Sequence, residues 1–465
     1  MKRVILILSL CVLVFSQTAY SQTRSKVEER FELTSLMFAL IGAPEYSQCR
    51  IPSYKEDIVN TFARYENSEP IEYVRELREK YHISYDAVST AAELLELKDG
   101  KFRLRPQYKL KDIEKYDDRW TAEQFDKFIR MANRFYKESD FQEWFDSHRD
   151  LYAIAEQRMD SLVNSVDTAW FEEFYGKPYD EDIKFYVSMI NGPSNYMISE
   201  GVLMGIASDA EGLPDTTGTA GYILMHELCH HYSNDIIRGY YSLMIPYAEK
   251  ILPHVYDKQR AAGYGFVESM IGEWFNELCT MMYYKERDDA NVPVYLKIAD
   301  DKGYIWMGRS MAFMEHFYEN RDKYPHIDDF MPQIVAFFNY TADNIETVVK
   351  EYEMRSPYIT EVYPAMGSDI TGYDKIIITF SQPMFGGYSF SGTTGSDDEN
   401  VKLLPACRAY YIDDYRLAIE LEPDKLEPGC TYGLQMNPIF FLADNCHSLV
   451  DSCRNLTFTT APERE

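Results

Sequence analysis

The sequence predicts an α+β fold in two parts, a mainly helical part that holds a small sheet and an all-β sandwich after it. Three observations lead there. From Lys26 to about Val163, and again from Tyr222 to about Glu353, apolar residues recur every three to four positions with charged residues between them, the spacing of helices that bury one face. Between those stretches the pattern shortens to brief apolar runs bounded by turn residues, as in strands. After Arg355-Ser356-Pro357 the helical period stops, and alternating apolar runs separated by Gly and Pro follow.

Taken in order, residues 1–21 have the form of a secretory signal. Lys2 and Arg3 precede a mostly apolar run from Val4 to Phe15 that is too short to span a bilayer. Ala19-Tyr20-Ser21 puts small residues at the −3 and −1 positions of a cleavage before Gln22. Cys11 follows Leu10, where a lipoprotein cysteine would follow a small residue, so lipidation is not expected. The expected address is outside the cytoplasm: periplasmic, cell-surface or extracellular.

Residues 22–355 form the first domain. It opens with helical runs such as "VEERFELTSLMFALIG" and "PIEYVRELREKYHISYDAVSTAAELLEL". "DIKFYVSMING" and "EGVLMGIASD" supply one or two strands, separated by "PSNYMIS" and followed by the turn-rich "EGLPDTTGTAG". The helical pattern resumes at Tyr222 and is expected to break at Pro246, at Pro253 and in "DDANVP". Residues 356–465 form the second domain, with strand-like runs "YITEVYPAMGS", "DKIIITFSQPM", "YRLAIEL", "TYGLQMN" and "NLTFTT". Ile376, Ile378 and Phe380 share one face, and Leu417, Ile419 and Leu421 alternate with Ala418 and Glu420. "SGTTGSDDEN" reads as a solvated loop.

Composition narrows the function. The 465 residues carry 75 acidic and 47 basic side chains, a formal charge of −28. Nucleic-acid binders need a basic footprint to displace counterions, and peripheral proteins on anionic lipid need basic residues as well, so neither class is expected. No segment after the signal is apolar for the roughly 18 residues of a membrane span. Aromatic content of 15% implies a buried core, and most of the 38 tyrosines belong at its edges. Seven cysteines follow the signal, an odd number. A Cys446–Cys453 bridge is sterically conceivable in an oxidising compartment, and buried free thiols fit as well.

The chemistry lies in His226-Glu227-Leu228-Cys229-His230, an HExxH pentapeptide. Histidines at i and i+4 project from one helix face, so both imidazoles reach one Zn²⁺, and the glutamate between them is placed to accept a proton from zinc-bound water. Apolar Ile223, Met225, Leu228 and Tyr232 flank the motif, and Thr219 is placed to cap the helix start. A catalytic zinc usually has three protein ligands. After His230 come His231, Tyr232, Ser233, Asn234 and Asp235, so the extension HExxHxxGxxH is absent. A glutamate from the helix "GFVESMIGEWFNELCTMMYYKE" is the alternative, with Glu268, Glu273 and Glu277 available, and a cysteine ligand is not needed. Glu277 is the expected ligand, because a carboxylate among Phe275, Leu278 and Met281 is costly to bury without a partner. Glu273 is the alternative. In that case Glu277, one turn on, would orient a histidine from outside the ligand set.

HELCH with a downstream "NE" on a second helix resembles the gluzincin branch of the zincin metallopeptidases. More closely, residues 26–353 resemble an uncharacterised family of secreted bacterial HExxH proteins, through "FELTSLMFALIGAPEY", "HELCHHYSND", "WFNELCTMMYYKE" and "ENRDKYPHIDDFMPQIVAFFN". The resemblance implies a zincin-like fold, His226, His230 and Glu277 as zinc ligands and Glu227 as base. Well-known gluzincins carry Asp four residues after the ligand glutamate; counted from Glu277, that position is Met281, with Thr280 or Asn276 as substitutes. "YPAMGS", "IIITFSQPM" and the terminal "LTFTT" resemble bacterial Ig-like domains, which implies attachment or a cell-surface or protein partner.

The expected function is that of a secreted zinc metallopeptidase acting on a peptide or protein substrate. Zinc lowers the pKa of its water, Glu227 accepts the proton, and a nearby donor stabilises the oxyanion. Donor candidates are His231, Tyr304, His316 and Tyr318, without a spacing argument for any. The substrate would add to the sheet edge before the motif helix, for which "EGVLMGIASD" is the candidate, with an ordinary core strand the equal alternative. Cys229 and Cys279 can approach each other, as buried thiols or as a disulfide. His82, His148, His254, His326 and His447 have no ligand spacing. The competing reading is a non-catalytic binding or surface-assembly protein on the same scaffold; a third is hydrolysis of a non-peptide amide.

Overall fold

The computed structural model describes residues 24–392, 401–444 and 447–462. The signal segment, most of the "SGTTGSDDEN" loop and Cys446 lie outside the described residues. The chain is a mixed α+β protein with small sheets. Its described residues fall into two compact units, one within 24–167 and 180–227, the other within 168–179 and 228–462. The change from helix to strand near residue 356, expected as a domain boundary, falls inside the second of these units.

In the first unit, helices Glu29–Leu40, Pro52–Phe62, Glu69–Tyr81, Asp86–Glu93, Ala122–Glu138, Phe141–Ser147 and Arg149–Val163 follow the expected periodicity. Thr121 opens one of them with a capping box, accepting from the Gln124 amide while the Gln124 side chain accepts from its own. The helical stretch is interrupted by a hairpin, Leu95–Lys98 with Lys101–Leu104. Its two-residue turn, Asp99-Gly100, has φ of 53° and 68° at the two positions, the conformation that Asp-Gly favours in tight hairpins.

The sheet of this unit runs Ser25–Lys26, Lys184–Ser188, Gly201–Gly205, Tyr196–Ile198 across its width. The first three strands are parallel and the last is antiparallel. "EGVLMGIASD" therefore contributes an inner strand, flanked on both sides, and the edge strand is Tyr196–Ile198, inside the segment expected to be a connection. The inner position explains Gly201: a Cβ there would come within 2.2 Å of the Lys184 carbonyl on the neighbouring strand. Beneath the sheet, Glu32 is wholly buried yet accepts from the Tyr54 hydroxyl and the Met189 amide. Burial holds its carboxyl up to about 7.

In the second unit, helices Tyr241–Ala261, Val267–Lys285, Val292–Asp301, Met307–Phe313, Glu315–Glu319, Ile327–Asp343 and Ile345–Arg355 follow the motif helix. Pro246 and Pro253 do not break Tyr241–Ala261; both lie inside it. Met244, Ala248, Ile251 and Val255 make one buried face of that helix. Burying it outweighs the lost hydrogen bonds, which cost about 3 kcal/mol per proline.

Two four-stranded sheets then enclose one core. One runs Ala406–Asp413, Arg416–Leu421, Lys375–Phe380, Ile359–Tyr363; in the other, Thr431–Met436 pairs with Phe390–Ser391, Val401–Leu403 and Asn455–Thr459. Ile376, Ile378, Phe380, Leu417, Ile419 and Leu421 point into that core with Tyr432, Leu434, Leu456 and Phe458.

Candidate metal centre

The motif helix, Ala220–Arg238, is continuous through the pentapeptide. Its first turn is closed by the Ile223 amide donating to the Thr219 carbonyl, just after Gly218 at φ +70°. His226 and Glu227 are each 8% exposed. His226 and His230 stand one turn apart on the same face. Asn234, one turn further, sits with its Oδ1 3.2 Å from His230 Nδ1. With the proton on Nδ1, that contact is a hydrogen bond donated to Asn234, and it leaves the Nε2 lone pair of His230 for a metal.

Opposite His230 is the glutamate helix, Val267–Lys285, buried along most of its length. Ser233, fully buried, donates to Asn276 Oδ1 at 2.7 Å and fastens the two helices side by side. At that setting His230 Nε2 lies 3.5 Å from Glu273 Oε1. Two ligands of a tetrahedral zinc stand about 3.3 Å apart, from bond lengths near 2.0–2.2 Å. Ligand atoms of His226, His230 and Glu273 all lie within 4.8 Å of one another, the one such His/Cys/Asp/Glu group among the described residues. Two imidazoles and a carboxylate are the donor set that zinc accepts, and the spacing fits it.

The structure thus brings Glu273 to the histidines, where Glu277 was the expected ligand. Glu277 is completely buried one turn further along, and the Lys302 ammonium lies 3.3 and 3.4 Å from its two oxygens. The partner demanded by its burial is a cation from the end of helix Val292–Asp301. Counted from Glu273, the position four residues on is Glu277 itself, so a carboxylate stands where the gluzincin pattern has one. Glu268, on the first turn of the helix, is not in the group.

Glu227, the candidate base, accepts a hydrogen bond at 2.7 Å from the backbone amide of Met197, in the middle of the edge strand. The sheet edge and the base are therefore in direct contact. Sequence reasoning missed Met197, because a three-residue strand leaves too little pattern. It missed Asn234 too, although the i, i+4 spacing from His230 was a usable signal.

The oxyanion-donor candidates separate. His231 and His316 are exposed, and His316 faces Glu319. Tyr318 donates to Glu286. Tyr304 is fully buried, and burial, then the charge of Glu273, keep its hydroxyl protonated. Cys229 and Cys279 are buried free thiols. Burial pushes Cys229 up to about 12, so it stays a thiol beside the ligands. Cys453 is free and accepts from the Ile359 amide.

No family model matches this chain, and no curated protein matches it in sequence. Among the described residues no helix is long and apolar enough to cross a membrane.

Proposed function

We propose that this chain is a zinc-dependent metallopeptidase of zincin-like, gluzincin-type architecture, exported from the cytoplasm, with a C-terminal Ig-like domain that meets a cell-surface or protein partner. The observation that carries the reading is the His226–His230–Glu273 group on the HExxH helix, with Glu227 between the two histidines. Zinc bound there supplies a Lewis acid that acidifies water and polarises a carbonyl.

The residues of the chain do the rest. His230 is oriented by Asn234, and Glu273 is held opposite it by the Ser233–Asn276 bond. Glu227 takes the proton from the attacking water and returns it to the leaving amine. The edge strand Tyr196–Ile198 sets the Met197 amide on Glu227 and so holds the base in place. An ionisable base between two ligands favours catalysis over a purely structural metal, which has no use for one.

Metal analysis with a peptide-library digest tests the reading. One equivalent of zinc is expected, with cleavage abolished by a chelator and restored by zinc. Stoichiometric zinc without cleavage of any peptide bond would refute it.

A further inference from the structure

The first unit holds a cleft of about 710 Å³ beside its other edge strand, Ser25–Lys26. That size suits a small organic ligand. Its wall takes in the start of helix Glu29–Leu40 and parts of the strands Leu95–Lys98 and Lys184–Ser188. The wall carries six cationic side chains against three carboxylates, in a chain whose formal charge is −28. Arg105 and Lys184 share Glu200, each at 2.8 Å, and Arg149 pairs with Asp146 at 2.7 Å. Arg24 and Lys26 form no ion pair among the described residues. Of the carboxylates, Glu28 is held by Arg30 Nε at 2.6 Å. Burial, then the charge of Asp146, pushes Glu29 up toward its neutral form. That leaves Glu96 alone to offset Arg24 and Lys26, and a concave surface of one sign concentrates its field on the space it encloses.

Two buried donors in this wall are not used up within the protein. Arg30 is 8% exposed, and four of its five N–H groups have acceptors: Nε on Glu28, Nη1 on the carbonyls of Glu93 and Leu95 at 2.7 and 2.9 Å, and Nη2 on the Tyr186 hydroxyl at 3.1 Å. One N–H remains on Nη2. Tyr186 is 4% exposed; having accepted from Arg30, its hydroxyl keeps its own proton, with no acceptor for it among the described residues. The two donor atoms stand 3.1 Å apart, close enough to share one acceptor group. The helix Glu29–Leu40 starts at the same wall without a side-chain cap, so the amides of Glu29 and Arg30 are open as well. We infer that this cleft binds a small organic oxyanion, a carboxylate or a phosphate, whose oxygens accept from Arg30 Nη2 and the Tyr186 hydroxyl, with Lys26 supplying charge at the rim. A guanidinium beside a hydroxyl meets such a group through charge-assisted bonds. The cleft shares no residue with the metal group and does not rest on the peptidase reading.

Calorimetric titration of the full-length zinc-loaded protein with phenyl phosphate and with benzoate is the test, paired with hydrogen exchange. At least one probe should saturate, and the tighter of the two names the source of the oxyanion. The bound probe should slow exchange of the Glu29 and Arg30 amides about tenfold. Tyr186→Phe deletes only the hydroxyl and keeps the ring against Phe31, 4.6 Å away between centroids. It should weaken the probe about tenfold. Lys26→Glu, on the exposed strand, should weaken it about threefold, and less so at high salt. No binding of either probe up to about 10 mM would overturn the proposal. So would a probe whose affinity is the same in Tyr186→Phe and Lys26→Glu as in the wild type, since that probe sits elsewhere, on the metal included. Should Tyr186→Phe not fold, Lys26→Glu and the exchange of the Glu29 and Arg30 amides decide it.

Discussion

Glu273→Gln and Glu277→Gln exchange the same groups one helical turn apart, and the structure assigns them different losses. Neither substitution changes side-chain volume or helix propensity appreciably, so the helix Val267–Lys285 should persist in both. Glu273 Oε1 lies 3.5 Å from His230 Nε2, near the separation of two zinc ligands. Replacing it with a neutral amide removes a charged ligand and should weaken zinc more than about 100-fold, beyond roughly 2.7 kcal/mol. Glu277 lies one turn on, outside the ligand group, with Lys302 on both its oxygens. Its loss should cost about 10–100-fold, roughly 1.4–2.7 kcal/mol, the usual scale for a group that supports ligands without binding metal. Competition against a chromophoric chelator, with zinc content of each purified variant, measures both. A larger loss for Glu277→Gln than for Glu273→Gln would refute the assignment and restore Glu277 as the ligand.

Three further outcomes are expected. Met197→Pro removes the amide that bonds Glu227 while leaving an edge position that proline tolerates, and should lower kcat/KM about 10–100-fold with zinc retained, read by steady-state kinetics. Glu32 titrates near 7 in the fold against its ordinary 4.5, so the native state keeps a proton that the unfolded chain releases. Its share of stability is full below pH 4.5 and is lost as pH rises through about 7, some 3 kcal/mol in all. Glu32→Gln should flatten that part of the stability–pH curve measured by denaturant unfolding. Phe458→Ala, in the core between the two C-terminal sheets, should cost about 3–5 kcal/mol in the same assay.

How far the sequence reaches depends on how local each signal is. HELCH is local: four residues of spacing on one helix place His226, Glu227 and His230 together, whatever surrounds them. The alternation of Ile376, Ile378 and Phe380 is local as well, and these residues are buried as it requires. Glu273 against Glu277 is not a local question. The helix that carries them is buried from Met270 through Tyr283 except for Glu273 itself, which is only partly covered, so periodicity names no face. The choice is set by the axial offset of two helices, which the Ser233–Asn276 bond fixes. Tyr196–Ile198 is too short for a strand pattern, and its edge position arises from pairing with Gly201–Gly205. The Asp99-Gly100 turn was a legible local signal, overshadowed by the helical pattern on either side. Pro246 and Pro253 show tertiary packing overriding a local rule.

The most direct measurement is cleavage of a peptide library by wild-type protein and by Glu227→Gln at equal, stoichiometric zinc. Glu227 is the base but not a ligand, so the variant should keep its zinc. It should lose cleavage by at least about 100-fold, the lower end for removal of general acid–base catalysis. Cleavage retained by Glu227→Gln, or no cleavage by zinc-loaded wild type, would contradict the proposed chemistry.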